Sequence, residues 1–451
     1  MTMAAVAISA PAIVGALRCQ RDSYLQFLET QVVSCTEYIP PKAPQASGKS
    51  KSKKSTDPEK AAENSVDTSS KQWLIEFEDS VLFPEGGGQP TDHGSITPLS
   101  QDSDIAPIPI TNIQRHGLRC VHFSTQPLQP GQKVRQNLEF TRRWDNMQQH
   151  TGQHLLSAIM DTLDIPTLSW SMGSAGEMNS IEIPRKPSDQ ELTDIQNRCN
   201  QIIRENVSIT VETPDGKKGE AKKVPGDYDK EKGVVRFIKI GDLDYNACCG
   251  THLRQTSHIS LILLHHTTTV RGTNCRLFFS AGDRAIRLAT DSINSLRNIA
   301  VSLSSSSEPK EVQSSVQRLN ENLSESRKKE KKLLAEIAKF EAERVKGLLK
   351  DGKPAWCHRA TDGLDFINLV VNELRETLKE GGVVVLASGE AKIAGSIMIL
   401  GEKEKVEAMS AKAKECVSTV KGGGKGEKWQ GKVTEWQKGE VETLKAAVEG
   451  N

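Results

Sequence analysis

The sequence predicts an α+β protein of two or three domains, and three observations carry that prediction. Short alternating apolar segments with turn signals fill the N-terminal part up to about residue 140. From Asp145 the apolar period becomes helical. A charged stretch with helical spacing then runs from Pro309 to about Leu349, ahead of a last α/β unit. The expected order is a small β-barrel over 19–140, an α+β domain over 141–300, a helical arm over 305–350 and a small Gly-rich α/β domain over 360–451.

Length and composition fit this order. A chain of 451 residues is too long for one ordinary core. With 36% hydrophobic and 26% charged residues it belongs among soluble globular chains. Its formal net charge of +1 excludes strong long-range attraction to nucleic acid, so an RNA partner would have to use local basic patches. Nine cysteines, an odd number scattered along the chain, argue against a disulfide framework and for a reducing, cytoplasmic setting. No stretch is long and apolar enough to span a membrane.

Taken in order, residues 1–18 are mildly apolar, lack a basic flank and are interrupted by Pro11, which reads as a disordered leader. LQFLETQVV is a strand region, and the Ser/Lys/Pro-rich segment 41–71 is a disordered insertion. Trp73, Ile75 and Phe77 alternate as in a strand, and Glu85-Gly86-Gly87-Gly88-Gln89-Pro90 makes a tight turn. A second helix is expected over 188–205, and strands at 234–240, 259–264 and 275–280. In the arm, Val312, Val316, Leu319 and Leu323 follow 4-3-4 spacing that Leu333, Ile337 and Phe340 resume, the pattern of a short coiled coil or of a helix lying on its own domain. A helix (Phe366–Leu378), two strands (Val383–Ala387, Ser396–Leu400) and Gly422-Gly-Gly-Lys-Gly426 belong to the last unit.

The chemistry-bearing residues fall in two distant pairs. In WDNMQQHTGQHLLSAIM, His150 and His154 are four apart and share one helical face. With His150 at zero, His154 falls near 40° and Ala158 near 80°, whereas Leu155, Leu156, Ile159 and Leu163 fall between about 140° and 240°. The histidine face is therefore flanked by small residues, opposite a core-packing face. Thr151 follows His150, so the glutamate of the protease H-E-x-x-H helix is missing. The second pair is Cys248 and His252 in YNACCGTHL, where Gly250 lets the backbone fold so that both converge. Three His and one Cys make a tetrahedral zinc set, one ion per chain. Cys249 competes for the position of Cys248, but neighbours in extended backbone point opposite ways. His258, His265 and His266 read as strand or loop residues.

HTGQHLLSA, CCGTH and LFPEGGGQPTDHG, taken together, resemble the motifs of the alanyl-tRNA synthetase editing domain and of its free-standing relatives, the AlaX alanyl-tRNA editing family. CQRDSYLQFLETQVVSC looks like the start of the long form of that family, and the tail with KGGGKG resembles the synthetase's C-terminal domain. The resemblance implies a zinc-dependent editing domain over 141–300, metal ligands at His150, His154, Cys248 and His252, and trans hydrolysis of tRNA(Ala) mischarged with serine and, as a second substrate, glycine. The family's motif has glycine where this chain has Cys249. No alanine-activating region is recognised in the sequence, so the role implied is that of an editor acting in trans, with a tRNA-gripping tail.

The expected reaction is cleavage of an aminoacyl ester. A synthetase pocket for alanine rejects serine only weakly, which calls for a second, hydrolytic site. Gly86, Gly87, Gly88 and Gln89 are the expected substrate-binding turn, because glycines allow close backbone approach. Gln153 on the metal helix and Asp92 after the turn are the candidate catalytic side chains, with solvent contact, capping or turn closure as their plainer roles. RNA contacts are expected from Arg142, Arg143, Arg271, Arg276, Arg284, Lys421, Lys425 and Lys428, since aromatics are only 4% of the chain. The alternative is a non-catalytic tRNA-binding module with a structural zinc.

Overall fold

The computed structural model describes residues 10–40, 71–99, 106–214, 228–229 and 231–450. The chain divides into two compact units at Ser295–Leu296. The insertion expected at 41–71 lies, but for Lys71, outside the described residues.

The first unit opens with a short helix α1 (Arg18–Arg21) and a seven-stranded sheet: β1 (Phe27–Glu37), β2 (Trp73–Phe77), β3 (Gly94–Pro98), β4 (Ile108–Ile110), β5 (Ile113–His116), β6 (Arg119–Ser124) and β7 (Lys133–Leu138). Strand order is β4-β3-β7-β1-β2-β6-β5, all antiparallel, and it curls into a nearly closed barrel. The long β1 makes the curl. Its first half pairs with β7, its second half with β2, and a register irregularity between Val32 and Ser34 turns it from one to the other. Val32, Ile75, Phe83, Ile96, Ile113 and Val134 fill the interior.

Here one expectation needs correction. Residues 10–18 are not a loose leader, because Val14 and Leu17 are buried in the barrel core. Ala12 N donates to Glu78 O and Val14 N to Leu118 O, at 2.7 and 2.8 Å. The apolar content that resembled a leader packs against a barrel built from later residues; residues 1–9 lie outside the described set.

Strand β7 runs almost directly into α2 (Phe140–Asp161). Met147, Leu155, Leu156 and Ile159 face the second core. That core is shared with α3 (Asp189–Glu205), a four-stranded antiparallel sheet and a three-stranded one. The first sheet contains β8 (Ser169–Ser171), β9 (Asn179–Ile183), β13 (Ile262–Thr269) and β14 (Cys275–Ala281). The other holds β10 (Ile209–Glu212), β11 (Phe237–Ile240) and β12 (Asp244–Ala247). Helix α3 begins in a capping box, with Ser188 accepting from Glu191 N and Glu191 accepting from Ser188 N. Its Ile195, Cys199, Ile202 and Ile203 are the buried stripe. After a 3-10 turn at Thr256–Ile259 and strands β13 and β14 comes α4 (Gly282–Ser302).

The second unit contains α5 (Pro309–Lys350), β15 (Ala355–Arg359), α6 (Gly363–Lys379), β16 (Val383–Ser388), β17 (Gly395–Gly401), α7 (Lys403–Cys416), β18 (Val420–Lys425), β19 (Lys428–Val433) and α8 (Glu440–Glu449). Its sheet has the order β15-β16-β17-β19-β18, with β15 and β16 parallel across α6. Proline at the first turn starts α5 where the sequence places it. Its last turns bury Ala338, Ala342, Val345 and Leu349 against α6, while Leu319, Leu323, Leu333 and Phe340 stay exposed. The run Gly422-Gly-Gly-Lys-Gly426 forms edge strand β18 and its hairpin turn.

Candidate metal centre

Four side chains from two distant segments meet beside α2. One ligand atom from each of His150, His154, Cys248 and His252 lies within 4.8 Å of all the others, and the three histidines are buried. His150 and His154 project from adjacent turns of α2. Cys248 directly follows β12, and His252 comes four residues later, before the 3-10 turn. The Cys248 Sγ lies 3.3 Å from both His150 Nε2 and His252 Nε2.

Each imidazole is held at its other nitrogen. His150 Nδ1 donates to Gln89 Oε1 at 3.0 Å, His154 Nδ1 to Asp244 Oδ2 at 3.1 Å, and His252 Nδ1 is 3.3 Å from Thr151 Oγ1. Fixing Nδ1 leaves each Nε2 to face the centre of the cluster, the arrangement that orients imidazole ligands for a metal. One thiol and three such imidazoles suit a divalent ion of zinc's kind. The electrostatics of the thiol agree. Burial alone would push the Cys248 thiol up, yet the neighbouring His150 and His252 hold it well below its ordinary range. Burial opposes protonation of His154, but Asp244 and Cys248 outweigh it and raise its value to about 9. His252 is pushed down to about 3, chiefly by burial.

Backbone geometry explains the glycine in CCGTH. A Cβ at Gly250 would stand 2.4 Å from His150 Cε1 and 2.8 Å from Gln89 Oε1. Beneath the same loop, the buried Arg236 guanidinium donates to Gly250 O at 2.8 Å, Cys249 O at 3.0 Å and Gln20 O at 2.8 Å. The loop is thus tied down from below. The Cys249 sulfur is not among the four and lies against the glycine turn, and burial followed by the nearby Cys248 pushes its thiol up to about 12.

A pocket of about 490 Å³ opens over the cluster, walled by Gly87, Gln153, Ser157, Thr167 and Trp170. Gln153 Nε2 donates to Ser157 Oγ at 2.8 Å, and Ser157 Oγ lies 2.6 Å from Thr167 Oγ1, so a polar row lines one side. A side chain at Gly88, where φ is +82°, would strike Trp170 at 2.8 Å.

Other sequence candidates stand elsewhere. Gln89 is buried, and its amide is engaged with Thr251 Oγ1 at 2.8 Å, Thr251 N at 3.0 Å and His150. Asp92 is wholly buried, accepting from Phe83 N at 2.7 Å and ion-paired with Arg143. Arg143 and Arg284 are corrected as RNA contacts. Both are buried, Arg143 on Asp92, Val81 O and Ser23 O, and Arg284 on Asp145 at 2.7 Å. His258 lies 2.7 Å from Tyr24 Oη, His265 lies 3.0 Å from Ser280 Oγ, and His266 stacks on Phe278; none joins the cluster. Sequence reasoning missed Asp244, Thr167, Trp170 and Arg236. They come from segments with no motif of their own, so only tertiary contact brings them to the site.

Known proteins match this chain along nearly its whole length. Residues 235–278 match the family described as the threonyl and alanyl tRNA synthetase second additional domain. A Saccharomyces cerevisiae protein, alaX, provisionally named an alanyl-tRNA editing protein, is 34% identical, with 96% of each chain covered. The Xenopus laevis alanyl-tRNA editing protein Aarsd1-B is 32% identical over 95% of this chain and 97% of its own. An alanine–tRNA ligase from Thermococcus kodakarensis is 29% identical over 70% of this chain and 35% of its own.

Proposed function

This chain belongs to the alanyl-tRNA editing protein family, and from that premise we propose that it hydrolyses the aminoacyl ester of mischarged tRNA(Ala), chiefly the seryl ester, with one zinc ion held by His150, His154, Cys248 and His252. The observation that carries the reading is the convergence of these four ligands within 4.8 Å beneath an open pocket. When bound, zinc supplies a Lewis acid for an ester carbonyl and lowers the pKa of a water molecule.

The chain's own residues do the rest. The backbone at Gly87 borders the pocket closely enough for an aminoacyl group to lie against it. Gln153, Ser157 and Thr167 offer donors and acceptors in a row on the pocket wall. In our reading this row takes the serine hydroxyl. Alanine has no hydroxyl to add to the row and would forgo that bond, which is the direction in which a site built to bond a hydroxyl discriminates. Gln89 and Asp244 act behind the ligands, holding imidazole orientation.

Purified protein is expected to carry about one zinc per chain. It should release serine from Ser-tRNA(Ala) and leave Ala-tRNA(Ala) intact, and Cys248→Ala should abolish both zinc content and hydrolysis. Undiminished hydrolysis by a zinc-free preparation would overturn the metal assignment. Stable tRNA binding with no deacylation would favour instead a binding module with a structural zinc.

A further inference from the structure

A cavity larger than the one over the metal ligands lies beside it in the first unit. It measures about 760 Å³ and lies on the other side of the glycine turn, where Gly86, Gly88 and Gln89 form one wall. Arg142 and Asn146 from α2 and Arg287 from α4 face it. We propose that this cavity seats a backbone phosphate of the single-stranded 3′ end of tRNA while the terminal aminoacyl ester lies across the turn over the metal ligands. The proposal rests on the tRNA-editing reading above.

Three observations point to an anion here. Asn146 is 2% exposed, yet its amide nitrogen has no hydrogen-bond partner among the described residues. Buried donors are ordinarily satisfied, so this one awaits an acceptor. Next, the wall carries cations that are not spent. Arg142 makes one bond, Nε to Thr91 O at 3.0 Å, and no ion pair, while Arg287 makes neither among the described residues. The acids on the wall do not cancel them. Asp145 is taken by Arg284, and Glu139 and Glu85 are exposed, where water and salt screen them. Finally, the spacing suits a nucleotide chain. Arg142, Asn146 and His150 occupy successive turns of one helix, each about 6 Å further along its axis than the last, so cation, amide and metal ligand form a line. A planar guanidinium and an amide donor are a fitting pair for phosphodiester oxygens.

The test uses the full chain and two probes, a tRNA(Ala) transcript and the same transcript lacking its last three nucleotides. Wild-type protein should bind the intact RNA more tightly. Arg142→Ala and Arg287→Ala should each lose about tenfold in affinity for intact RNA, with little change for the truncated RNA, and should lower the salt dependence by about one released ion. Asn146→Asp, which puts a carboxylate where the amide awaits an acceptor, should erase the preference for the intact end. Lys186→Ala, on the exposed surface elsewhere, should change nothing. Because both arginines are at least partly exposed, their removal leaves the fold intact even if the Asn146 variant proves unstable. If wild type deacylates Ser-tRNA(Ala) but the arginine variants bind like wild type, the cavity assignment alone is overturned. If wild type neither deacylates nor senses the 3′ end, the editing reading falls with it. If inorganic phosphate binds wild type but not the arginine variants, while wild type holds intact and truncated RNA equally tightly, the cavity binds free phosphate and the RNA assignment is overturned.

Discussion

At the scale of single residues, the site is defined by what stands behind the ligands as much as by the ligands. Asp244 holds His154 at 3.1 Å and is itself nearly buried. Replacing it with asparagine removes the charge but keeps the shape. Such changes typically cost ten- to a hundredfold in metal affinity, and we expect that range for Asp244→Asn in competition with a chromogenic chelator. Full affinity in this variant would remove Asp244 from the account. Cys248 and Cys249 should separate in the same measurement. Cys249→Ser is expected to keep the metal and Cys248→Ser to lose it, since only Cys248 has its sulfur among the imidazoles. The four residues of the cluster were legible in the sequence because their spacing and type, joined to the resemblance of HTGQHLLSA and CCGTH to the motifs of a known family, singled them out together. The setting of Gln89 and Asp92 was not. A polar side chain beside a glycine turn looks the same in sequence whether it faces a ligand or the interior, and here both turn inward.

At the scale of elements, the centre depends on α2 being held against the glycine turn. The Asp92–Arg143 pair does this, fully buried, with Asp92 on the segment after the turn and Arg143 in the first turn of α2. Removing one partner of a buried pair leaves an unpaired charge and costs about 3–5 kcal/mol. Arg143→Ala should therefore lower the unfolding midpoint strongly and release metal at lower denaturant than wild type; a variant as stable as the parent would contradict this. Helices with clear punctuation were legible. The helix expected over 188–205 appears as α3, which the structure opens with a Ser188 capping box, and the one expected from Pro309 appears as α5. Strand β13 was displaced, beginning at Ile262 rather than near 259, because Thr256–Ile259 closes a 3-10 turn that apolar content alone cannot distinguish from a strand. Segment 10–18 was misjudged for a related reason, its partners being strands far along the chain.

At the scale of the whole molecule, the barrel carries a pH liability of its own. His122 is fully buried in it, 3.0 Å from Ser80 Oγ, and burial lowers its value from 6.5 to about 4. The unfolded chain thus binds more protons than the folded one between about 6.5 and 4. Stability from keeping His122 neutral is complete above that window and is lost as pH falls through it, by up to about 3 kcal/mol. His122→Gln should flatten the decline in urea midpoint between pH 6.5 and 4. An equally steep decline in the variant would place the acid sensitivity elsewhere. Among the described residues no helix is long and apolar enough to cross a membrane. The central claim, that two distant segments close on one ion, is tested most directly by zinc-edge X-ray absorption on the purified full chain. The account predicts one sulfur at about 2.3 Å and three imidazole nitrogens at about 2.0–2.1 Å. A first shell with two sulfurs, or with none, would contradict it.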